Sequence, residues 1–494
     1  MKSNLIRLGV SCLMLGCLFG SAHAAKNSIT IGMQLEPPHL NPTAGAAAAI
    51  DEVVYANIFE GLTRFNPDGS IRPALANSWT VSDDGLMYTF SLQENVTFHD
   101  GSTFDASDVK FSLDQARSEG STNAQKALFA DINEVNVVDP LTVEVTLNNP
   151  NGLFPVNMAW GDAIILDPAS ADTAETKPIG TGPFMFSDWA EGDRIELVKN
   201  PNYWGDEVAL ESATFKFISD PTAAFGALMT GDVDAFPGFP SPETLGQFEA
   251  NPNFSVIVGS TEGETILSTN NLADHLSDVR VRKAIAHAIN RQELIDGAMF
   301  GYGTEIGTHF APHHPDYLDL TGESSYNPEL SRQLLNEAGY ADGLSLRLHL
   351  PPPSYARRGG EIIASQLRAV GIETEIINVE WGVWLEQVFQ GKDFDLTIVS
   401  HTEPNDINIY ARPDYYFQYN NPDLQAIIEE MRLTSDSMRR TELAHQAQTI
   451  IAQDYVNGYL FQLPKLGVAQ STIVGLWENS PTQANDLTQV YWQE

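Results

Sequence analysis

Between residues 50 and 150 polar and apolar positions change places at nearly every step. The run "MYTFSLQENVTF" alternates with a period of two, and "VNVVDPLTVEVTL" reads as two strands joined at the turn Asp139-Pro140. From about residue 265 the period lengthens. Asp278 stands where it can cap "VRVRKAIAHAINRQELI", which predicts one long amphipathic helix. Asn327-Pro328 opens a second helix, "ELSRQLLNEAG", closed by Gly339. "EIIASQLRAVG" predicts a third, ended by Gly371 and followed by the strand "IETEIINV". "WLEQVFQG" is a short helix, and "FDLTIV" is a strand with too little polar alternation to be half exposed. Strands alternating with helices predict a largely parallel sheet over this half.

The dipeptide Asn-Pro recurs at Asn41, Asn66, Asn149, Asn200, Asn251, Asn327 and Asn421 without fixed spacing, so these mark turns or helix starts and not a repeat. The chain has 494 residues, too many for one hydrophobic core, so two or three packed domains are expected. No low-complexity tract or Gly/Ser linker separates them, which predicts domains joined by short crossings between elements.

The chain begins "MKSNLIRLGVSCLMLGCLFGSAHAAKNSIT". Two basic residues, an apolar run from Leu8 to Gly20 and the small residues around Ala22-His23-Ala24 predict a signal peptide over 1–24, removed before Ala25. Cys17, in "MLGC", is also a candidate lipid-anchor position. Both cysteines, Cys12 and Cys17, fall in this segment, so a chain cleaved after Ala24 has no disulfide despite its export. Cleavage takes away Lys2 and Arg7 and no acid, leaving a charge of 25 − 65 = −40. That balance argues against nucleic acid as a partner.

No catalytic signature has adequate context. There is no G-x-S-x-G elbow, no H-E-x-x-H, no Walker loop and no cysteine nucleophile. "GYGTEIG" at 301–307 has the wrong glycine spacing for a dinucleotide loop and reads as a turn. His309, His313 and His314 lie in "HFAPHHPDY", where Pro312 and Pro315 predict an extended, solvated loop. His287 and His99 read as structural. In "IVSHTEPNDINIY", His401, Glu403 and Asp406 follow the carboxyl end of a buried strand, the edge where open α/β sheets bind ligands. They are candidate ligands for a divalent ion, a candidate acid-base set, or a polar recognition mouth. Arg357 and Arg358 follow the strand "LSLRLHL", and Trp381 and Trp384 follow "IETEIINVE", again at carboxyl ends. An arginine fork suits a carboxylate, an indole face suits a side chain or cation, and a glutamate suits an ammonium.

Several blocks together resemble one family. "IFEGLTRFNPDGSIRPALANSWTVSDDGLMYTFSLQENVTFHDGSTFDASDVKFSLD", "PIGTGPFMFSDWAEGDRIELVKNPNYW", "ALMTGDVDAF", "DVRVRKAIAHAINRQELI", "YNPELSRQLLNEAGY" and "VGIETEIINVEWGVWLEQV" follow in family order. They are similar to the bacterial extracellular solute-binding proteins of the dipeptide, oligopeptide and nickel class (family 5), which serve ABC importers. The resemblance implies an α/β, two-lobed periplasmic binding protein (type II-like, cluster C) with an extra β-rich domain inserted in the first lobe. It implies residues 25–50, 178–264 and 462–494 as the first lobe, 51–177 as the insertion and 265–461 as the second lobe. It implies capture of a small peptide or other zwitterionic or cationic nutrient by hinge closure, and delivery by a monomer to permease subunits in the inner membrane. No cofactor and no catalysis are expected. A metal-chelate carrier is the alternative within the class, and a secreted metal-dependent or acid-base hydrolase the alternative outside it. Carried over by position, Trp381 matches a ligand-contacting tryptophan, and Arg357 or Arg358 an arginine that meets the ligand carboxylate. Ser400-His401 stands where peptide binders show Gly-Trp. Pro404 falls at their amine-binding aspartate, which leaves Glu403, or Asp406 as the fallback, as amine partner and His401 in place of an aromatic wall.

Overall fold

The computed structural model describes residues 26–45, 47–402, 406–434 and 436–493. The expected signal peptide and Glu403 lie outside them. The chain is organised by two long antiparallel strands, Phe254–Thr269 and Asn457–Gln470. Their ladder runs in regular register from Phe254 opposite Gln470 to Ser260 opposite Pro464, breaks, and resumes with Glu264 opposite Gln462. Residues 261–263 therefore bulge against Leu463 alone, and a bulge of this kind bends a strand and sharpens its twist. Burial changes at the same place. Residues 254–261 are half-buried or exposed, whereas 262–269 are buried throughout.

Each side of the bulge carries its own strands. On one, Asn457–Gln470 pairs with Ala235–Phe236, which adjoins Ser28–Met33; beyond it lie Ser212–Phe217, parallel to Ser28–Met33, and the antiparallel strands Arg194–Lys199 and Phe184–Ala190. On the other, Phe254–Thr269 pairs with Leu396–His401, which is parallel to Leu344–Leu350 and through it to Ile372–Asn378. The alternation predicted from residue 265 onward thus does form a parallel set. The result is a mixed α/β, two-lobed molecule.

A separate four-stranded antiparallel sheet contains Ala76–Val81, Met87–Leu92, Ile132–Asp139 and Thr142–Leu147. Met87–Leu92 shows the alternating burial read from its sequence. This sheet's core runs from Leu62 to Ile165, while Ile50, Val53, Val54 and Phe59 before it and Leu166 after it pack into the core under Ser28–Met33. The segment from Gly180 crosses directly over this junction. A Cβ at Gly180 would lie 2.0 Å from the Ile58 carbonyl oxygen, so only glycine permits the approach. Beside it the buried Glu60 accepts from Thr181 Oγ1 (2.9 Å), Tyr203 Oη (3.0 Å) and Trp204 Nε1 (2.8 Å), which gives two of the family-like blocks a structural reason.

The single helix predicted after Asp278 is two, Val279–Ala288 and Arg291–Met299. Ile289 is extended, and the Asn290 side chain accepts from the Glu293 amide, so an internal cap restarts the helix at a new angle. The third helix begins earlier than its pattern suggested, at Ser354, and takes in both arginines.

A buried ion pair ties the inserted part to the carboxyl-terminal tail: Arg64 and Asp486 are bonded, with side chains 7% and 4% exposed. On the surface Arg432 holds Asp131 with two bonds, at 2.6 and 2.7 Å. Removing one partner of a buried pair leaves the other charge stranded, at a cost of about 3–5 kcal/mol, whereas partly exposed pairs contribute about 0–1 kcal/mol. Asp486→Ala is expected to lower stability by the larger amount and Arg432→Ala by the smaller, read as shifts in urea midpoint. Equal shifts would contradict this ranking.

Candidate functional site

Four strands, two from each side of the bulge, point their carboxyl ends at one cavity of about 250 Å³. Gln34 follows Ser28–Met33, Pro237 follows Ala235–Phe236, Pro353 to Tyr355 come just after Leu344–Leu350, and Thr402 follows Leu396–His401. Leu463 to Leu466, at the break in the long ladder, form another wall together with Thr261. Carboxyl ends of parallel strands are where open α/β sheets place ligands, and here two such edges face each other. The walls are apolar for the most part, with Phe239, Met299, Tyr355, five prolines and two leucines around few charges. Tyr355 is fixed by accepting the Ser400 amide at 3.1 Å, and its burial pushes the phenol up to about 12.

The charges in the cavity are separated by sign. Lys465 is 7% exposed, and among the described residues no carboxylate lies within ion-pair distance of it. Burial brings its ammonium down to about 8, against the opposing pull of Glu52. Glu52 lines the same cavity, and burial raises its carboxyl while Lys465 draws it back. A smaller hollow adjoins, sharing Thr402 and Gln483 and lined by Asp51 and Asp162. Burial, then repulsion from Asp162 and Glu52, raises the Asp51 carboxyl well above the usual range. Asp51 Oδ1 is buried without a hydrogen-bond partner, 2.0 Å from where a Cβ on Gly161 would sit. A desolvated ammonium on one side and crowded carboxyls on the other suit a ligand that carries both charges.

None of the expected residues that the structure describes, Arg357, Arg358, Trp381, His401 and Asp406, is part of this cavity's wall. Arg358 is at its edge, donating to Glu243 with two bonds of 2.9 Å and lying 5.3 Å over the Phe300 ring; Glu243 and Phe300 each follow a wall residue, Pro242 and Met299. Arg357 pairs loosely with Glu380 at 3.3 Å. The Trp381 indole stacks on Trp384 at 5.1 Å, and Trp384 is buried, donating to Thr397 Oγ1 at 2.9 Å. His401 and Asp406 are brought together, but on the side of the strand away from Thr402. His401 Nδ1 is 3.6 Å from Asp406 Oδ2, and its Nε2 is 3.1 Å from the Tyr416 hydroxyl.

The histidine loop departs from expectation. His309 is not solvated: it is 1% exposed and meets Asp406 Oδ1 at 2.7 Å. His313 meets Glu262 at 2.5 Å, and His314 stacks on Phe310 at 4.2 Å. The prolines do keep the segment irregular, and His313, with a side chain 42% exposed, stays open to solvent as expected, whereas the rings of His309 and His314 turn inward to find carboxylate and aromatic partners. His287 and His99 are structural as expected, against the carbonyls of Ser325 (2.7 Å) and Gly182 (3.0 Å).

Sequence reasoning passed over Lys465, Asp51, Glu52 and Asp162. Two signals were present: a lysine inside the apolar strand "NGYLFQLPKLGVAQ", and an acid pair inside the apolar helix "AAIDEVV".

Two lobes, a shared pair of crossing strands and a charged cavity between facing strand ends define a solute-binding protein that encloses its ligand. The model of the bacterial extracellular solute-binding proteins, family 5, matches residues 70–454, and the chain belongs to that family. It is 26% identical over 515 aligned positions to the dipeptide-binding protein of Escherichia coli K12, covering 96% of this chain and 94% of that one. It is 30% identical over 393 positions to the glutathione-binding protein GsiB of the same strain, covering 77% and 74%. Among solved structures, the periplasmic binding protein DppA of Helicobacter pylori with the peptide STSA superposes with a TM-score of 0.86 at 24% identity, covering 95% of this chain and 99% of that one. The dipeptide-binding protein of Pseudoalteromonas sp. SM9913 with Met-Leu gives 0.87 at 20% identity, covering 94% and 100%.

Arg358 and Glu243 join elements on opposite sides of the long ladder, so their bridge favours the shut arrangement. Each is about one-third exposed, so solvent screening limits the bridge to roughly 0.2–1 kcal/mol. Glu243→Gln is expected to weaken ligand binding by at most about fivefold, mainly through faster release, in stopped-flow fluorescence. A loss of a hundredfold would show that the bridge contacts the ligand directly.

Proposed function

We propose that this chain captures a short peptide or a similar small zwitterion, with Lys465 meeting its carboxylate and the Asp51, Glu52 and Asp162 group meeting its ammonium. The observation that carries this reading is Lys465, an ammonium buried at the cavity wall with no carboxylate within ion-pair distance among the described residues. Burying such a charge is costly unless something pairs with it, and a ligand carboxylate is the missing partner. The cavity, near the lower end of the roughly 300–1,000 Å³ typical of small-molecule sites, favours a ligand of two or three residues. The names of the relatives, dipeptide- and glutathione-binding, agree with that class.

In this reading residues 25–50, 178–264 and 462–494 move as one lobe with the insertion 51–177, and 265–461 as the other. The hinge is the bulge at 261–263. Arg358 guards the cavity edge, and Arg357 and Trp381 stand behind it as second contacts for longer ligands. His401 and Asp406 hold Thr402 in the wall from behind, and Glu403, outside the described residues, is a further amine partner. The protein is exported by cleavage of residues 1–24, works as a monomer in the periplasm, leaves its ligand chemically intact and hands it to ABC permease subunits.

A thermal-shift panel of di- and tripeptides, their carboxyl amides and their N-acetyl forms tests this. A true ligand at about 100 times its Kd stabilises by roughly 2.7 kcal/mol, and both blocked forms should lose most of that. Recovery of cleaved peptide would contradict a pure binding role. Lys465→Met is expected to cost roughly 2–5 kcal/mol, as for a buried charge pair losing one member, measured by calorimetric titration.

The pH dependence has a definite sign. In the free protein Lys465 loses its proton near 8, whereas a bound carboxylate holds that proton on. Wild-type affinity should therefore be level below about pH 7 and fall as pH rises through 8, with proton uptake on binding. The peptide's own α-ammonium also titrates at about 8, so Lys465→Met should lessen that fall and remove the proton uptake assigned to Lys465; a profile and proton uptake unchanged by the substitution would remove Lys465 from the site.

A further inference from the structure

We propose that His309, His401 and Asp406 form a binding site for one divalent ion of the zinc class, distinct from the solute cavity. Each residue presents one ligand atom, and the three atoms lie within 4.8 Å of one another. His309 Nε2 is 2.7 Å from one oxygen of Asp406, and His401 Nδ1 is 3.6 Å from the other. Donors bound tetrahedrally to one ion at about 2.0–2.2 Å stand roughly 3.3–3.6 Å apart, so admitting it requires His309 Nε2 to draw back from Asp406 and the widest pair of donors to close by about 1 Å.

The surroundings are those of a ligand set. The nitrogen of each imidazole that faces away from Asp406 is held by a tyrosine: His309 Nδ1 by Tyr410 Oη at 3.1 Å, and His401 Nε2 by Tyr416 Oη at 3.1 Å. Tyr410 Oη in turn accepts from Asn457 Nδ2 at 3.1 Å. Outer partners of this kind fix the ring orientation and leave the inner nitrogen's lone pair for the metal. His309 and His401 are 1% and 7% exposed, and their rings meet edge to face at 5.3 Å. Neither is a surface histidine that happens to lie near an acid.

The three come from separate stretches: the loop after Ile306, the last residue of Leu396–His401, and the first residue of the turn Asp406–Ala411. An ion shared by them would clamp the exit of a cavity-edge strand, immediately before Thr402 in the cavity wall. Two imidazoles and a carboxylate, with no thiolate, suit zinc, cobalt or nickel and disfavour calcium or magnesium, which take mostly oxygen ligands. Three protein donors leave a fourth position for water.

The test uses the full processed protein, produced without a metal-affinity tag, stripped with chelator and dialysed against micromolar zinc. Elemental analysis should find one zinc per chain, zinc should raise the melting temperature, and cobalt in its place should give the visible absorption of a tetrahedral site. His309→Gln and Asp406→Asn should abolish all three signals, while His313→Gln keeps them. Absence of zinc from the wild type would overturn the proposal and leave a hydrogen-bonded imidazole–carboxylate–imidazole cluster; this readout decides the matter even if the variants fail to fold. Full zinc retained by a folded His309→Gln would overturn it equally. None of these readings depends on the solute, so their failure would leave the peptide-binding proposal standing.

Discussion

The register of one antiparallel ladder governs the rest of this molecule. Phe254–Thr269 and Asn457–Gln470 belong to both lobes, so strand pairing that holds each lobe together also fixes how they face. The bulge at 261–263 is the wider of two interruptions in that pairing, the other being a one-residue shift between Thr265 and Ile266, and it borders the cavity through Thr261 and Leu463. A bend located there changes the gap between strand ends while leaving the pairing within each lobe intact. On the proposed reading, binding and motion fall to the same few residues.

Around that gap the electrostatics are economical. A chain with far more acids than bases places one lysine and one glutamate, Glu52, in the cavity wall beyond ion-pair distance of each other, while two further acids, Asp51 and Asp162, line a neighbouring hollow. Burial disfavours the charged form of Lys465, Glu52 and Asp51, which is the condition under which a partner of opposite charge is worth most. The aromatic and histidine network behind Leu396–His401 supplies rigidity on the far side, so the cavity edge is backed by a packed, hydrogen-bonded layer and not by solvent.

Much of this architecture was legible in the sequence, because period-two and helical patterning report burial directly. The alternation of Met87–Leu92, the buried strand ending at His401 and the caps at Asp278 and Asn327 all have local causes. The restart at Asn290 was obscured because the apolar spacing continues through it, and only the cap chemistry distinguishes two helices from one. The site was less legible. Glu52 and Lys465 are separated by hundreds of positions and line one cavity only once the chain has folded. His309 looked solvated because prolines flank it, yet its partners Asp406 and Tyr410 come from about a hundred residues further on. Thr402, not His401, faces the cavity because strand neighbours point to opposite sides, a distinction that chain position alone does not make.

The central claim is that two lobes hinged at this ladder shut over a small charged solute. Small-angle X-ray scattering of the protein with and without a saturating peptide ligand tests it most directly. The account predicts a smaller radius of gyration and a shorter maximum dimension in the bound state; superimposable profiles in the two states would contradict it.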